Sequence, residues 1–185
     1  MPESSDVDLV ARAQGGDVNA IGALYDEHHE SIFRYVWLRV GDRHLAEDLT
    51  GDVFMRMLNA LPHYRALGLP FRAWLYRIAH NLLVDHYRRN SRRETVSLDA
   101  AEARAGDVDP VAFVERRLRV ERVAVALSRL DVHQREVVAL RFVAGLSLQE
   151  TAQAMGRSEA AVKSLQHRGL EALRLALSEE EQVIA

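Results

Sequence analysis

Between Leu148 and His167 the chain reads LQETAQAMGRSEAAVKSLQH, with helical spacing broken once at Met155-Gly156-Arg157-Ser158. Two helices that cross closely need a small residue at the crossing, a turn residue that tolerates positive φ, and apolar residues inside the second helix. Ala152, Gly156, Val162 and Leu165 fill those places in order. Ser158 can cap the second helix, and Glu159, Ala160, Lys163, Ser164, His167 and Arg168 then fall on or near its outer side. A helix so presented can enter a major groove and read base edges with its N-terminal half, recognition by contact and not by covalent chemistry.

A second constellation is basic: Arg88, Arg89, Arg92 and Arg93 cluster within six positions, a pattern suited to phosphates. Acidic residues follow it, Asp99, Glu102, Asp107 and Asp109, and Glu179, Glu180 and Glu181 stand near the end. The net charge of −3 and pI near 6.2 argue against a protein that coats DNA through overall charge, so any such contact is local.

Enzyme chemistry finds little support. The eight histidines form no His-Glu-x-x-His pair, and no serine sits in a nucleophile elbow and no glycine loop cradles phosphate. Adjacent His28 and His29 cannot both face one metal from a regular helix. The absence of cysteine removes disulfides, thiolate zinc sites and thiol nucleophiles. The expectation is no catalytic residue, no metal and no cofactor. The polar start Met1-Pro2-Glu3-Ser4-Ser5-Asp6 is unlike a secretory signal, and no stretch approaches the roughly 20 apolar residues of a membrane span, so a cytoplasmic protein without membrane insertion is expected.

The elements that must position these residues are helices, because apolar residues recur at helical spacing and no run alternates with period two. Ile21, Leu24, Tyr25, His28, Ile32, Tyr35 and Val36 form one stripe, started by Asp17 as N-cap and stopped near Gly41. Leu45, Leu49, Val53, Met57 and Leu61 form a second, ended by Pro62. A third starts near Pro70-Phe71 and runs through Trp74, Leu75, Ile78, Leu82 and Tyr87 into the arginines. From Thr95 to Asp109 the periodicity fades into small and acidic residues, which predicts a linker. Asp109-Pro110 then reads as N-cap and first helical residue, before a stripe of Val114, Leu118, Val123, Leu127 and Leu130. Asp131 with Gln134 and Ser147 with Glu150 resemble capping boxes of the following helices.

Two blocks together resemble the RNA polymerase sigma factors of the extracytoplasmic-function (ECF) family. One holds HLAEDLTGDVFMRML at His44 to Leu58 and FRAWLYRIAHNLLVDHYRR at Phe71 to Arg89; the other holds HQREVVALRFVAGLSLQETAQAMGRSEAAVKSLQHRGLEALR at His133 to Arg174. The resemblance implies an all-α chain of two small helical domains: a sigma-two bundle over 6–94 and a sigma-four helix-turn-helix domain over 110–178, joined by a flexible acidic linker over 95–109. It implies a non-enzymatic subunit that binds core RNA polymerase, directs it to promoter DNA and helps open the duplex. Partners of such a protein are core RNA polymerase, promoter DNA and an anti-sigma factor.

The same resemblance distributes the work. Asp48, Asp52, Met55 and Arg56 would meet the polymerase; Gly51 stands where the family often has glutamine, at a cost to the helix of about 1 kcal/mol relative to alanine. The minus-ten element would be captured as single strand by Tyr64 and Arg65 in the loop from Pro62 to Pro70, with Asn81 and Asp85 adding hydrogen bonds. Arg88, Arg89, Arg92 and Arg93 would grip its phosphates. The minus-thirty-five duplex would be read by Ser158, Glu159, Ala160, Lys163, Ser164, His167 and Arg168. The alternative is a stand-alone helix-turn-helix regulator with an N-terminal sensor or dimerisation bundle, which leaves the Trp-Leu-Tyr-Arg-Ile-Ala block beside the arginines without a reason.

Overall fold

The computed structural model describes residues 3–66, 68–91 and 125–184, and among them every regular element is helical. The helices are α1 (Glu3–Gln14), α2 (Val18–Val40), α3 (Arg43–Ala60), α4 (Phe71–Ser91), α5 (Val132–Val138), α6 (Leu148–Met155) and α7 (Glu159–Ile184). A 3-10 turn, Leu61–His63, follows α3 with Pro62 inside it, and a π-helical turn, Ala139–Val143, continues α5. The linker expected over 95–109, the cap at Asp109-Pro110, the start of the next stripe, and Arg92 and Arg93 lie outside the described residues.

Local chemistry accounts for most boundaries. The Asp17 carboxylate accepts from the backbone N–H of Asn19 and Ala20, and α2 ends at Gly41 in the left-handed region at φ 74°. Asp42 caps α3 by accepting from Leu45 N–H. Asp131 accepts from His133 and Gln134 N–H to start α5. The reciprocal capping box forms at α6: Glu150 N–H donates to Ser147 Oγ at 3.1 Å, and Ser147 N–H donates back to Glu150 Oε2 at 2.6 Å.

α1 to α4 pack as a bundle around Leu24, Ile32, Val53, Met57, Leu75 and Leu82, each at most 1% exposed. Burying one such aliphatic side chain stabilises the fold by about 1.5–3 kcal/mol. α1 also fastens the α3–α4 loop, because the Gln14 amide donates to the carbonyls of Leu61 and Tyr64 at 2.9 and 2.8 Å. In the second half, helical residues 125–128 lead into Leu130, and Leu127 and Leu130 pack on Val138. The Arg135 guanidinium donates to the carbonyls of Leu127, Ser128 and Leu130, satisfying groups left over where that helix ends.

The two halves are not separate beads. Val137, Leu140, Leu146, Ala154 and Met155 belong to the same continuous core as Leu24, Tyr35, Tyr76 and Leu83. α6 lies along α4, and the π-helical turn packs on α2.

Candidate nucleic-acid and polymerase interfaces

The helix-turn-helix is formed by α6 and α7. Gly156 turns the chain at φ 62°, where a residue with a side chain is strained, and its N–H closes α6 onto the carbonyls of Ala152 and Gln153. Ser158 Oγ accepts from Ala161 N–H at 3.3 Å to begin α7. Val162, Leu165 and Gly169 are buried on the inner side of α7. Gly169 is a close crossing: a Cβ there would meet Val138 Cγ2 at 3.1 Å and the Gln134 carbonyl at 3.3 Å. The opposite side carries Ser158, Glu159, Ala160, Lys163, Ser164, His167 and Arg168, and all seven are exposed. One ion-pair contact, His167 to Glu171 at 3.9 Å, lies along this face.

The loop before α4 turns one of the candidate residues inward. Tyr64 is buried, its ring 4.6 Å from that of Trp74 and 5.8 Å from that of Phe71, and its hydroxyl donates to the Leu69 carbonyl at 2.9 Å. The ring shapes the loop from within and does not offer a face to a base. The physical reason is the aromatic pair across the loop, whose apolar surface takes the tyrosine in while the hydroxyl keeps a backbone partner. Arg65 beside it is exposed.

On α4, Asn81, Asp85, Arg88 and Arg89 are all exposed or half-buried at the surface. With Arg56 from α3, Asp85, Arg88 and Arg89 line an open recess, across which Arg56 approaches Asp85 at 3.7 Å. His86, next to the recess, is pushed down by burial and by the Arg89 charge, which favours its neutral form. On α3, Asp48, Asp52, Met55 and Arg56 are exposed within one arc of the helix, and Met55 presents 59% of its surface. Phe54 faces the other way and is buried. Arg56 thus stands at the edge where the α3 face meets the arginines of α4.

Sequence reasoning missed one constellation altogether. Glu136 of α5 is 1% exposed and lies against the first half of the chain. Its Oε1 accepts from the Tyr35 hydroxyl at 2.6 Å and meets His80 Nδ1 at 2.6 Å; its Oε2 lies 3.2 Å from Arg39 Nη2. Burial works to raise this carboxyl, but the His80 hydrogen bond, the Arg39 charge and the Tyr35 hydroxyl outweigh it and hold Glu136 below the ordinary carboxylate range. Tyr35 is pushed well above the usual phenol range by burial and by the Glu136 charge, so it remains a donor.

Comparison with known proteins finds matches in both halves of the chain. Residues 24–93 match the family model for Sigma-70 region 2, and residues 126–175 match that for Sigma-70 region 4. The chain is 38% identical over 175 residues to the ECF RNA polymerase sigma factor BldN of Streptomyces coelicolor, covering 94% of this chain and 66% of that protein. It is 32% identical over 156 residues to the ECF RNA polymerase sigma factor SigX of Bacillus subtilis, covering 82% of this chain and 80% of the relative. Among solved structures, CnrH in complex with the cytosolic domain of CnrY matches at a TM-score of 0.74 and 28% identity, covering 95% of this chain and 98% of that one. The chain belongs to the ECF RNA polymerase sigma factor family. No helix among the described residues is long and apolar enough to cross a membrane.

Proposed function

We propose that this protein binds core RNA polymerase and directs it to promoters bearing minus-ten and minus-thirty-five elements, acting in the cytoplasm and without covalent chemistry of its own. The observation that carries the reading is the pairing, in one chain, of a region-2 bundle with an outward-facing arginine recess and a region-4 helix-turn-helix with seven exposed residues on its second helix and cap.

In this reading the sigma-two domain spans 6–94 and the sigma-four domain 110–178, with 95–109 between them. Asp48, Asp52 and Met55 dock the polymerase, and Arg56 serves the margin between docking face and DNA. Arg65, Asn81 and Asp85 meet the minus-ten strand while Arg88, Arg89, Arg92 and Arg93 hold its phosphates; Tyr64 acts by shaping the loop. Ser158, Glu159, Ala160, Lys163, Ser164, His167 and Arg168 face the minus-thirty-five duplex. A protein antagonist is a fitting partner, since the matched CnrH structure is a complex with the cytosolic domain of CnrY.

The test is transcription in vitro with purified core polymerase on a library of genomic fragments, followed by mapping of the start sites. Addition of the protein should create new, sequence-defined starts. A protein that retards duplex DNA as a dimer and leaves start sites unchanged with polymerase present would instead be a stand-alone regulator.

A further inference from the structure

We infer that Gln14 of α1 is a positioning residue for minus-ten recognition: its amide fixes the α3–α4 loop so that Arg65 meets the strand in one orientation. This rests on the promoter-recognition reading above and adds to it an element, α1, that carries none of the candidate contacts. The loop needs such support. After the 3-10 turn, the described residues 64–66 and 68–70 form no helix, so their backbone groups lack the repeated partners that regular structure supplies. A base taken out of its stack is best read by groups already in place, because a mobile reader gives up affinity as it becomes ordered.

Three hydrogen bonds hold the loop. Gln14 Nε2 donates to Leu61 O at 2.9 Å and to Tyr64 O at 2.8 Å, which uses both hydrogens of the amide. The Tyr64 hydroxyl closes the far side by donating to Leu69 O at 2.9 Å. Tyr64 O is the acceptor that matters most. It shares a rigid peptide plane with the N–H of Arg65, so holding that oxygen fixes the plane from which the arginine departs. Arg65 is exposed, and among the described residues its side chain has no ion-pair or hydrogen-bond partner. Its backbone is held at one end while its guanidinium stays available to a strand.

The amide is only as steady as the helix that carries it, and α1 is fastened along its length. Near its start Asp6 and His28 of α2 are both buried, with Asp6 Oδ1 3.0 Å from His28 Nε2. Val10 and Ala13 are buried in the core. At its end the Arg12 guanidinium donates to the Asp17 carboxylate at 2.7 and 3.0 Å, joining the last turn of α1 to the cap of α2. Gln14 is the final residue of α1 and is exposed. A glutamine there for solubility alone would leave its amide in water. This one reaches across 47 and 50 positions of sequence to two carbonyls of a single loop.

The experiment uses the full chain bound to core polymerase and fluorescent single-stranded oligonucleotides. One carries the non-template minus-ten sequence of a promoter found by start-site mapping, and the others carry the same strand with each base of that element replaced in turn. Gln14→Met keeps the length and helix propensity of the side chain and removes both donors. The ratio of affinities for matched and replaced strands should fall about fivefold, the scale of ordering one side chain at an interface, with affinity for core polymerase unchanged. Gln14→Lys restores a donor of similar reach and should recover most of the ratio; its added charge attracts every strand alike and cancels from the comparison. Gln14→Asn leaves the amide one methylene short of both carbonyls, should lose part of the ratio, and serves if Gln14→Met does not fold. A folded Gln14→Met that melts earlier yet keeps the wild-type ratio overturns the inference, because the amide would then serve stability alone. A ratio that Gln14→Lys does not recover also overturns it, since the loss would not trace to the donors. A wild-type complex that discriminates between none of the strands removes the minus-ten reading of the loop itself, an outcome distinct from discrimination that survives the loss of Gln14.

Discussion

The Tyr64 hydroxyl donates to the carbonyl of Leu69 across the loop that joins α3 to α4, so a residue type suited to stacking on a base instead ties the loop to itself. Tyr64→Phe should therefore cost about 1 kcal/mol of stability, the net worth of one such bond. Arg65→Ala should leave the urea midpoint unchanged and weaken binding of a minus-ten single strand. Equilibrium denaturation and fluorescence anisotropy with a labelled oligonucleotide distinguish the two; a stability loss confined to Arg65→Ala would reverse the assignment.

Replacing Lys163 and Arg168 by alanine should reduce promoter binding of the polymerase complex while leaving the melting temperature of the free protein unaltered, since both side chains are exposed. If each cation neutralises one phosphate, the slope of log K against log salt becomes shallower by about 2. A salt series on a promoter fragment measures this number directly, and an unchanged slope would remove both residues from the phosphate contact.

Charge reversal at Asp48 and Asp52 should weaken association with core polymerase at least tenfold, about 1.4 kcal/mol, with unchanged circular dichroism. Both carboxylates stand on the outer arc of α3, away from Val53 and Met57 in the core. Full affinity in the doubly reversed variant would show that polymerase docks elsewhere.

Two glycines inside helices should respond to alanine with opposite signs. At Gly51 nothing lies within 4 Å of a new Cβ, so Gly51→Ala should stabilise the protein by up to about 1 kcal/mol through helix propensity. At Gly169 the new methyl would press on the Gln134 backbone carbonyl and on Val138. An overpacking cost of about 1–3 kcal/mol then exceeds the same propensity gain. Chemical denaturation of both variants checks the pair, and two shifts of like sign would contradict the packing described around α7.

The depressed ionisation of Glu136 sets the sign of an acid effect. A carboxyl held below its unfolded value of about 4.3 contributes stability that is fully present above that value and is lost as pH falls through the lower folded one. His80, Arg39 and Tyr35 all face this group, so their contacts weaken together when it is protonated. Between wild type and Glu136→Gln, the gap in stability should be constant from about pH 5 to 7 and narrow below about pH 4. Urea midpoints across that range test it; a gap that widens in acid would mean that folding raises the Glu136 carboxyl.

Features set by neighbours in sequence were legible from the residues alone. The caps at Asp17 and Ser147, the left-handed turns at Gly41 and Gly156, and the outer face of α7 all depend on residues within one or two helical turns. The burial of Tyr64 was not legible because it is decided by Phe71 and Trp74, which reach it only once the loop has folded back. The Glu136 cluster was invisible because its partners Tyr35 and His80 lie 101 and 56 positions away, and an acid between Arg135 and Val137 carries no local mark of what it meets. The short stripe of Leu9, Val10 and Ala13 was equally too brief to announce α1, whose Gln14 fastens the α3–α4 loop.

α4 offers one flank to the bundle through Leu75 and Leu82, a second to α5 and the turn before α6 through His80 and Arg72, and a third to the outside through Asn81, Asp85 and Arg88. On the promoter-recognition reading proposed above, such a helix has no idle side. Saturation mutagenesis should find intolerance all the way around its circumference, without the three-to-four-residue rhythm of permissive positions that an ordinary surface helix displays. Evolutionary change in this stretch is therefore expected to come in coordinated sets, since a drift that suits one neighbour disturbs another.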